Sequence, residues 1–433
     1  MYGESRLSEI LTGRHILIAG YGREGQSSHR LLSCLVPAGD VDIARNDEEI
    51  VSSLKTEHYD LILKSPGIPT MKFEGWCDLE TLTSQTDIFL QVYGDQTVGV
   101  TGTKGKSTTT TLLWHLLRTA FPSRNVVLAG NMGIPLFDIL DQLDEQSLVV
   151  AEFSCHQLEN IHRGPHVGIL LNLYQEHLDH YHDYMGYQMA KMQIALQQGQ
   201  SDHCFYCADC SELAERIAEQ RDAIQSTLHA YGLRDAQRSD VAQWPTQLKG
   251  EHNKCNTYVA VETARLMGAT EKALQQAVAT FHGLPHRLEL VGTYDGITFY
   301  NDSISTIPEA TIAAVDSLDG VDTLILGGFD RGIDYSPLGN YLRNSDKGRA
   351  VRNLVFVGEA GRRMLREWGD AENSLSAERT VLTQDDYEKI VDWCFLHTKR
   401  GSICLLSPAA ASYDSFKNFE ERGTQYVQLI VNR

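Results

Sequence analysis

Residues 97–120 read TVGVTGTKGKSTTTTLLWHLLRTA, which predicts a strand, a glycine-rich turn and a helix in immediate succession. The β-branched start predicts a buried strand that ends near Thr101, and the helix is expected from Lys106 to about Ala120. Gly-Lys-Ser between the two is typical of a phosphate-binding loop, whose backbone N–H groups cradle phosphates while the lysine neutralises their charge. The Ser107 hydroxyl is a candidate Mg²⁺ ligand.

This loop departs from the strict pattern at one position. A glycine is required five residues before Gly105, and Val100 stands there, so only the shorter pattern GTxGKS holds. The residues that we expect to contact the nucleotide phosphates are Gly102, Thr103, Lys104, Gly105, Lys106, Ser107 and Thr108.

Short apolar runs alternate with longer amphipathic stretches along most of the chain, which predicts α/β domains with mainly parallel sheets. This alternation of strands and helices is interrupted around Asp295 and Gly296, where a β-hairpin is expected. We therefore predict three domains. They are an N-terminal Rossmann-like domain at 1–93, a central P-loop-type ATPase domain at 94–285 and a C-terminal Rossmann-like domain at 286–433.

Composition narrows the function. The 433 residues carry 38 Lys and Arg against 57 Asp and Glu, a net charge of −19 that argues against nucleic acid or an anionic membrane as partner. Nothing in the sequence predicts a membrane span or a signal peptide, and the nine cysteines are typical of reduced thiols in the cytosol. We expect a cytoplasmic monomer that acts on small molecules.

A second glycine-rich turn, Gly20-Tyr21-Gly22-Arg23-Glu24-Gly25, lies between a predicted strand and a predicted helix. By itself this GxGxxG pattern suggests a nicotinamide-dependent oxidoreductase, with Asp42 or Asp47 as the ribose-binding acid. The alternative is a tight turn that binds nothing.

Candidate metal ligands follow the phosphate loop. Glu152 ends a predicted strand, where a carboxylate can hold Mg²⁺ directly or through water, and His177 and Asp179 follow another strand. The spacing of His177, His180 and His182 fits no common zinc pattern, so Mg²⁺ is favoured over zinc. The alternative for His177 is an ordinary surface histidine.

Cys204, Cys207 and Cys210 form a CxxCxxC run with the spacing of cluster ligands. No fourth cysteine follows at a suitable distance, and Cys204 to Cys207 also reads as a strand. Packing of soft side chains is therefore the favoured interpretation.

Taken together, these motifs resemble the Mur ligase family over essentially the whole chain, and most closely its glutamate-adding members. The segments that carry the resemblance are SPGI (65–68), the GTKGKST loop, GNMGIP (130–135), EFSCHQL (152–158), NLYQEH (172–177), GEHN (250–253), GLPHR (283–287), NDS (301–303), GGFDRG (327–332) and LSPAAASYDSFKNFEERG (406–423).

The resemblance implies an ATP-dependent amide-forming ligase of peptidoglycan synthesis. ATP would phosphorylate the alanyl carboxylate of a UDP-N-acetylmuramoyl-L-alanine substrate, and the glutamate amine would attack the acyl phosphate. Lys106 would hold the phosphates, Ser107 and Glu152 a first Mg²⁺, and His177 a second. Lys191 lies where the family carries a lysine carbamylated by CO₂, whose anionic oxygen binds metal. The alternative for Lys191 is a solvated helix lysine.

The resemblance also assigns the remaining binding residues. ATP would be bound by Asn253, Asn256, His286, Arg287 and Asp302, in addition to the loop. The UDP-substrate would be bound by Gly20, Gly22, Gly25, Ser65, Pro66, Gly67 and Asn131, so the GxGxxG turn would serve a nucleotide diphosphate rather than NAD. Glutamate would be bound by Thr306, Arg331, Ser412, Tyr413 and Phe419.

One residue bears on which glutamate is used. Many glutamate-adding members have a lysine where this chain has Ile304, and members with a similar DSI-x-T segment add L-glutamate. The retained C-terminal tail favours D-glutamate, and L-glutamate is the alternative. The remote alternative, an oxidoreductase, leaves the GTKGKST loop unexplained.

Overall fold

The computed structural model describes residues 2–132, 134–176, 180–181, 183–369 and 379–433. The chain divides into two compact units. The first comprises Met1–Thr246 and Glu251–Phe281, and the second Gln247–Gly250 and His282–Arg433. The described residues contain three sheets, two in the first unit and one in the second, which confirms an α/β fold with mainly parallel sheets.

The first sheet is parallel with strand order β2-β1-β3-β4. Its strand β1 is buried along its whole length, as its purely apolar sequence ILIA predicts for a strand covered on both faces. The elements in chain order are α1 (Glu4–Leu11), β1 (Ile16–Ala19), α2 (Arg23–Leu35), β2 (Val41–Ala44), α3 (Asp47–Thr56), β3 (Leu61–Lys64), β4 (Leu82–Thr83) and α4 (Gln85–Tyr93).

The second sheet is also parallel, with order β10-β9-β8-β5-β7-β6. Its strand β5 lies between β8 and β7, so the turn after β5 opens at the carboxyl edge of the sheet centre. Its elements are β5 (Thr97–Thr101), α5 (Lys106–Ala120), β6 (Val126–Gly130), β7 (Leu148–Glu152), α6 (Cys155–Leu158), β8 (Val167–Leu170), α7 (Tyr184–Leu196), β9 (His203–Cys207), α8 (Ser211–Glu219), β10 (Thr227–Tyr231), α9 (Leu233–Arg238), α10 (Glu251–Leu266) and α11 (Glu271–Thr280).

The third sheet is mixed, with order β11-β12-β16-β13-β14-β15; β11 and β12 form the predicted antiparallel hairpin. Two apolar clusters cover its faces, one with Leu326 and Trp368 and one with Phe299 and Ile430. Its elements are β11 (Glu289–Tyr294), β12 (Ile297–Asn301), α12 (Pro308–Asp316), β13 (Val321–Gly327), α13 (Ser336–Asn344), α14 (Asp346–Ala350), β14 (Asn353–Val357), α15 (Gly358–Gly369), β15 (Thr380–Thr383), α16 (Tyr387–His397), β16 (Ile403–Leu406) and α17 (Phe419–Val431).

Two predicted boundaries differ from the structure. The apolar run 167–173 predicts a strand as far as Leu173, but the strand ends at Leu170, because the following residues leave the sheet to contact the phosphate loop. The sequence of residues 256–267 predicts a helix that begins at Asn256, but this helix begins at Glu251, one polar turn earlier. Within the described residues, no helix is both long and apolar enough to cross a membrane.

Candidate functional site

The phosphate loop follows β5 and ends where α5 begins. Gly105 caps α5 with φ +85° and Gly102 has φ +153°, and a Cβ is strained in both conformations. The ammonium of Lys106 donates to the carbonyls of Gly102 and Thr103, at 3.0 Å each. The N-terminus of α5 therefore presents backbone N–H groups and a lysine, as an anion site requires.

Asn172 holds this loop from the neighbouring strand end. Its Oδ1 accepts hydrogen bonds from the backbone N–H of Thr103 at 3.0 Å and of Lys104 at 2.8 Å, and its Nδ2 donates to the Lys104 carbonyl at 3.0 Å. The Thr103 hydroxyl lies 2.7 Å from the hydroxyl of Tyr187. Asn172 is part of the motif NLYQEH, but the motif does not reveal this role, because a clamp between two loops depends on tertiary structure.

Lys191 lies on α7, is only 2% exposed, and donates its Nζ to the Gly102 carbonyl at 3.0 Å. Two lysines, Lys106 and Lys191, therefore share one acceptor. Burial is the main cause that lowers the pKa of Lys191 from 10.5 to about 8, and the Lys106 charge lowers it further. The solvated-helix alternative is wrong, since the side chain is buried beside the phosphate loop.

Glu152 ends β7 beside β5, with Val100 as its partner in the ladder. Its side chain is 2% exposed, and Oε1 accepts a hydrogen bond of 2.7 Å from Asn131 Nδ2. Among the described residues, Oε2 has no hydrogen-bond partner although it is buried. A buried carboxylate oxygen without a partner is costly unless a ligand completes it, and a hard cation such as Mg²⁺ fits.

The other candidates of the first unit are placed as follows. His177 and Asp179 lie outside the described residues, as does His182. Asn256 on α10 is buried and faces the loop, since a Cβ on Gly105 would lie 3.1 Å from its Oδ1. Asn256 Nδ2 donates to Asn253 Oδ1 at 3.1 Å, which brings the two predicted ATP residues together.

The GxGxxG turn packs against the segment after β3. Ser65 Oγ donates to the Gly20 carbonyl at 2.9 Å, and a Cβ on Gly25 would lie 2.1 Å from that same oxygen. A Cβ on Gly22, at the start of α2, would meet nothing within 4 Å. Gly20 and Gly25 thus serve packing, whereas Gly22 leaves open space at a helix N-terminus, where a phosphate can bind.

The tip of β2 does not offer the acid that an NAD site needs. Asp42 lies inside β2, where its Oδ2 accepts from Tyr59 OH at 2.9 Å and contacts His15 Nε2 at 3.1 Å. Asp47 is paired with Lys72. Directly after β2, the Arg45 guanidinium lies 5.3 Å from the centroid of the Tyr21 ring.

A buried polar network that the sequence analysis missed links the first two sheets. Lys64, at the end of β3, donates to the Ile68 carbonyl and to Glu159 Oε2, at 2.9 Å each. His180 Nε2 lies 3.6 Å from the same Glu159 oxygen. Burial raises the pKa of Glu159, but the nearby His180 and the Lys64 charge outweigh burial and hold that pKa near 2.

In the second unit, the predicted ATP residues surround the end of β12. Asp302 is almost fully buried and accepts from Ser305 Oγ at 2.5 Å, Ser407 Oγ at 2.7 Å and the Leu288 N–H at 3.1 Å. Burial raises its pKa to about 6. His286 has φ +63° and its Nδ1 lies 2.9 Å from Asn301 Nδ2; Arg287 follows it in the chain.

The predicted glutamate residues gather at the carboxyl edge of the third sheet. Arg331 donates to the Thr306 carbonyl at 2.9 Å, and the exposed Tyr413 ring packs edge-on against Phe329, with centroids 6.5 Å apart. Ser412 is 2% exposed, and its Oγ has no hydrogen-bond partner in the described part of the chain. Phe419 is the first residue of α17.

The first two cysteines of the CxxCxxC run lie in the strand β9, in agreement with the interpretation that the three cysteines serve packing. Cys204 is fully buried in β9, and Cys210 lies against Leu173, whose N–H is 3.4 Å from its Sγ. In the described residues, no group of three or more His, Cys, Asp or Glu side chains forms a metal site.

A phosphate loop at the centre of a parallel sheet, next to a buried acid and a buried lysine, defines an α/β enzyme that uses a nucleoside triphosphate. Residues 100–266 match the Mur ligase middle domain. A UDP-N-acetylmuramoylalanine–D-glutamate ligase of Salinibacter ruber is 32% identical, covering 86% of this chain and 84% of its own length. The protein of that name from Lacticaseibacillus casei is 29% identical, covering 96% and 95%.

Among solved structures, MurF ligase from Thermotoga maritima in complex with ADP has a similar fold. Its TM-score is 0.56 at 16% identity, over 98% of this chain and 96% of that one. The chain belongs to the Mur ligase family. It is an ATP-dependent, amide-bond-forming ligase, which confirms the predicted enzyme class over the oxidoreductase alternative.

Proposed function

We propose that this protein joins D-glutamate to UDP-N-acetylmuramoyl-L-alanine in cytoplasmic peptidoglycan precursor synthesis, acting as a monomer. Two of its relatives carry that activity in their names and align over most of the chain. The observation that carries the proposal is the convergence of Lys106 and Lys191 on the Gly102 carbonyl, beside the buried carboxylate of Glu152.

The reaction needs charge neutralisation and positioning rather than a nucleophilic side chain. The alanyl carboxylate attacks the γ-phosphorus of ATP, ADP leaves, and an acyl phosphate forms. Lys106 and the loop N–H groups hold the phosphates during this transfer. The glutamate amine then attacks the acyl carbon and loses a proton, and the tetrahedral intermediate collapses with loss of phosphate.

Ser107, Glu152 and His177 are the residues that would hold two Mg²⁺ ions. The unpartnered Oε2 of Glu152 supports this assignment on the structural side. When bound, the ions neutralise charge on the phosphoryl and acyl oxygens. A carbamate on Lys191 would add an anionic oxygen ligand. The lowered pKa of Lys191 favours this modification, because only the neutral amine attacks CO₂.

The UDP-substrate would occupy the GxGxxG turn, with the diphosphate over Gly22, where a side chain would find open space. Glutamate would be bound by Thr306, Arg331, Ser412, Tyr413 and Phe419. Ile304, half-buried two residues before Thr306, favours the second candidate, an enzyme that adds L-glutamate, because it brings no cation to the pocket.

The test is phosphate release from ATP with UDP-N-acetylmuramoyl-L-alanine and either pure D- or pure L-glutamate. We expect release only with all three substrates and a higher kcat/KM for the D form. Release that needs no glutamate contradicts the proposal, and a higher kcat/KM for L-glutamate selects the second candidate.

The role of Lys191 has its own test. Lys191→Ala is expected to be nearly inactive and to recover in part when a small carboxylic acid fills the vacated space. Lys272→Ala, on the exposed surface of α11, is the matched control and should keep full activity. Full activity of Lys191→Ala without additive contradicts the assignment.

A further inference from the structure

Among the described residues, Arg422 on α17 is the largest fully buried side chain, with 1% of its surface exposed. Its Nε donates to Ser303 Oγ at 2.9 Å, and Nη2 donates to the Ser303 carbonyl at 2.8 Å. Nη2 and Nη1 also donate to the carbonyls of Ala410 at 3.1 Å and Ala411 at 3.2 Å. One guanidinium thus joins α17 to the segments after β12 and β16.

All of these acceptors are neutral oxygens. Within the described residues, no carboxylate lies within salt-bridge distance of Arg422, and the charge that Asp414 contributes acts from farther away. Burial lowers the pKa of Arg422, but a guanidinium stays charged in proteins. A buried charge without an ionic partner is costly, and its positive potential favours an anion bound nearby.

The segments that Arg422 holds carry the proposed amino-acid site. Ser303 begins the segment that ends at Thr306, whose carbonyl accepts from Arg331. Ala411 directly precedes Ser412 and Tyr413.

Two further contacts complete this connection. Ser303 Oγ donates to the Phe419 carbonyl at 2.8 Å, and the Phe329 N–H donates to the Ala411 carbonyl at 2.9 Å. Every residue proposed to bind glutamate therefore lies within three residues of Ser303 or Ala411, which Arg422 contacts, or of Phe329 or Phe419, which are hydrogen-bonded to those two.

We propose that Arg422 is a positioning and specificity residue of the amino-acid site. It aligns α17 with the segments after β12 and β16 and places a fixed positive charge behind them, which favours an amino acid with a second carboxylate over one with a neutral side chain. This inference rests on the proposed function, since it assumes that glutamate binds there.

The test compares Arg422→Gln with Arg422→Lys in the full-length enzyme. The readouts are the KM values for glutamate, ATP and the UDP-substrate, and the Ki of glutamine, the neutral isostere, as competitor. In Arg422→Gln we expect the ratio of glutamine Ki to glutamate KM to fall about tenfold, with the ATP KM unchanged. Arg422→Lys keeps the charge and should retain most of that ratio.

Two controls separate this role from a structural one. Ile430→Ala destabilises the same helix without touching Arg422 and should leave the ratio unchanged. Ser303→Ala removes one acceptor but not the charge, so it should raise the KM for glutamate and the Ki of glutamine by the same factor. If Arg422→Gln fails to fold, the Ser303→Ala ratio tests the inference. An unchanged ratio in Arg422→Gln, or a lowered one in Ser303→Ala, overturns the inference. Wild-type enzyme without glutamate-dependent phosphate release instead overturns the proposed function.

Discussion

Lys191→Met should abolish activity and yet stabilise the protein at neutral pH. The side chain is buried, its Nζ lies 4.8 Å from the centroid of the Tyr187 ring, and its ammonium shares an acceptor with Lys106. Methionine has a similar length and no charge. The Gly102 carbonyl keeps the hydrogen bond from Lys106 when Lys191 is replaced, so the substitution leaves no unpaired acceptor there.

The size of the effect follows from the pKa of Lys191, which is lowered from 10.5 to about 8 in the folded protein. Below pH 8 the amine is charged in both the folded and the unfolded state. Burying the charged amine then lowers the free energy of unfolding by the full amount, about 3 kcal/mol. Between the two pKa values the unfolded state binds more protons, so wild-type stability rises with pH and the cost shrinks to about 1.4 kcal/mol at pH 9.5.

The assay is thermal unfolding of wild type and variant in metal-free buffer without CO₂, so that Lys191 remains an amine. At pH 7 the variant is expected to melt roughly 5 °C higher, and the difference should narrow at pH 9.5. Lys272→Met, at an exposed position on α11, should melt like wild type at both pH values. The reasoning is refuted if Lys191→Met melts at or below the wild-type melting temperature at pH 7. It is also refuted if the two melting temperatures differ by the same amount at pH 7 and pH 9.5.

Four other substitutions test the site residue by residue. Lys106→Ala should abolish phosphate release but retain binding of the UDP-substrate by calorimetry; retained turnover would remove the phosphate-loop assignment. Glu152→Gln should keep its melting temperature and lose activity by about a hundredfold, with part recovered at high Mg²⁺; undiminished activity would contradict a metal role. Gly25→Ala should fail to fold, since its Cβ would lie 2.1 Å from the Gly20 carbonyl, whereas Gly22→Ala should fold normally and bind the UDP-substrate at least tenfold more weakly. Equal stability of these two glycine variants would refute the packing argument.

The sequence predicted most of the first unit's strands because their apolar runs match a sheet covered on both faces. The helix α5 has the predicted bounds, Lys106–Ala120, since a glycine turn and an apolar period mark both ends. The start of α10 at Glu251 was missed because its first turn is polar and shows no periodicity. The apolar side chain of Leu173 predicts a strand position. In the structure Leu173 lies on the loop after β8, and its side chain is buried in the core.

The candidate site was predictable only where chemistry and chain position coincide, as in Lys106 and Glu152. Lys64 and Glu159 are 95 positions apart, and Arg422 lies 119 positions from Ser303. No local pattern joins such partners. A buried lysine and a buried arginine each look like surface residues in a sequence, because these residue types are almost always exposed.

The missing glycine of the phosphate loop shows how the two levels fit together. In the structure Val100 is a buried strand residue, paired with Glu152 on one side and Ile169 on the other, so the loop does not begin until Gly102. The turn is then made within four residues by two glycines with positive φ, and the Asn172 side chain closes it from the loop after β8. A glycine at position 100 would remove packing from the sheet centre without adding freedom where the chain turns. The departure from the strict pattern is therefore a consequence of where β5 ends, and the anion-binding geometry at the start of α5 survives it.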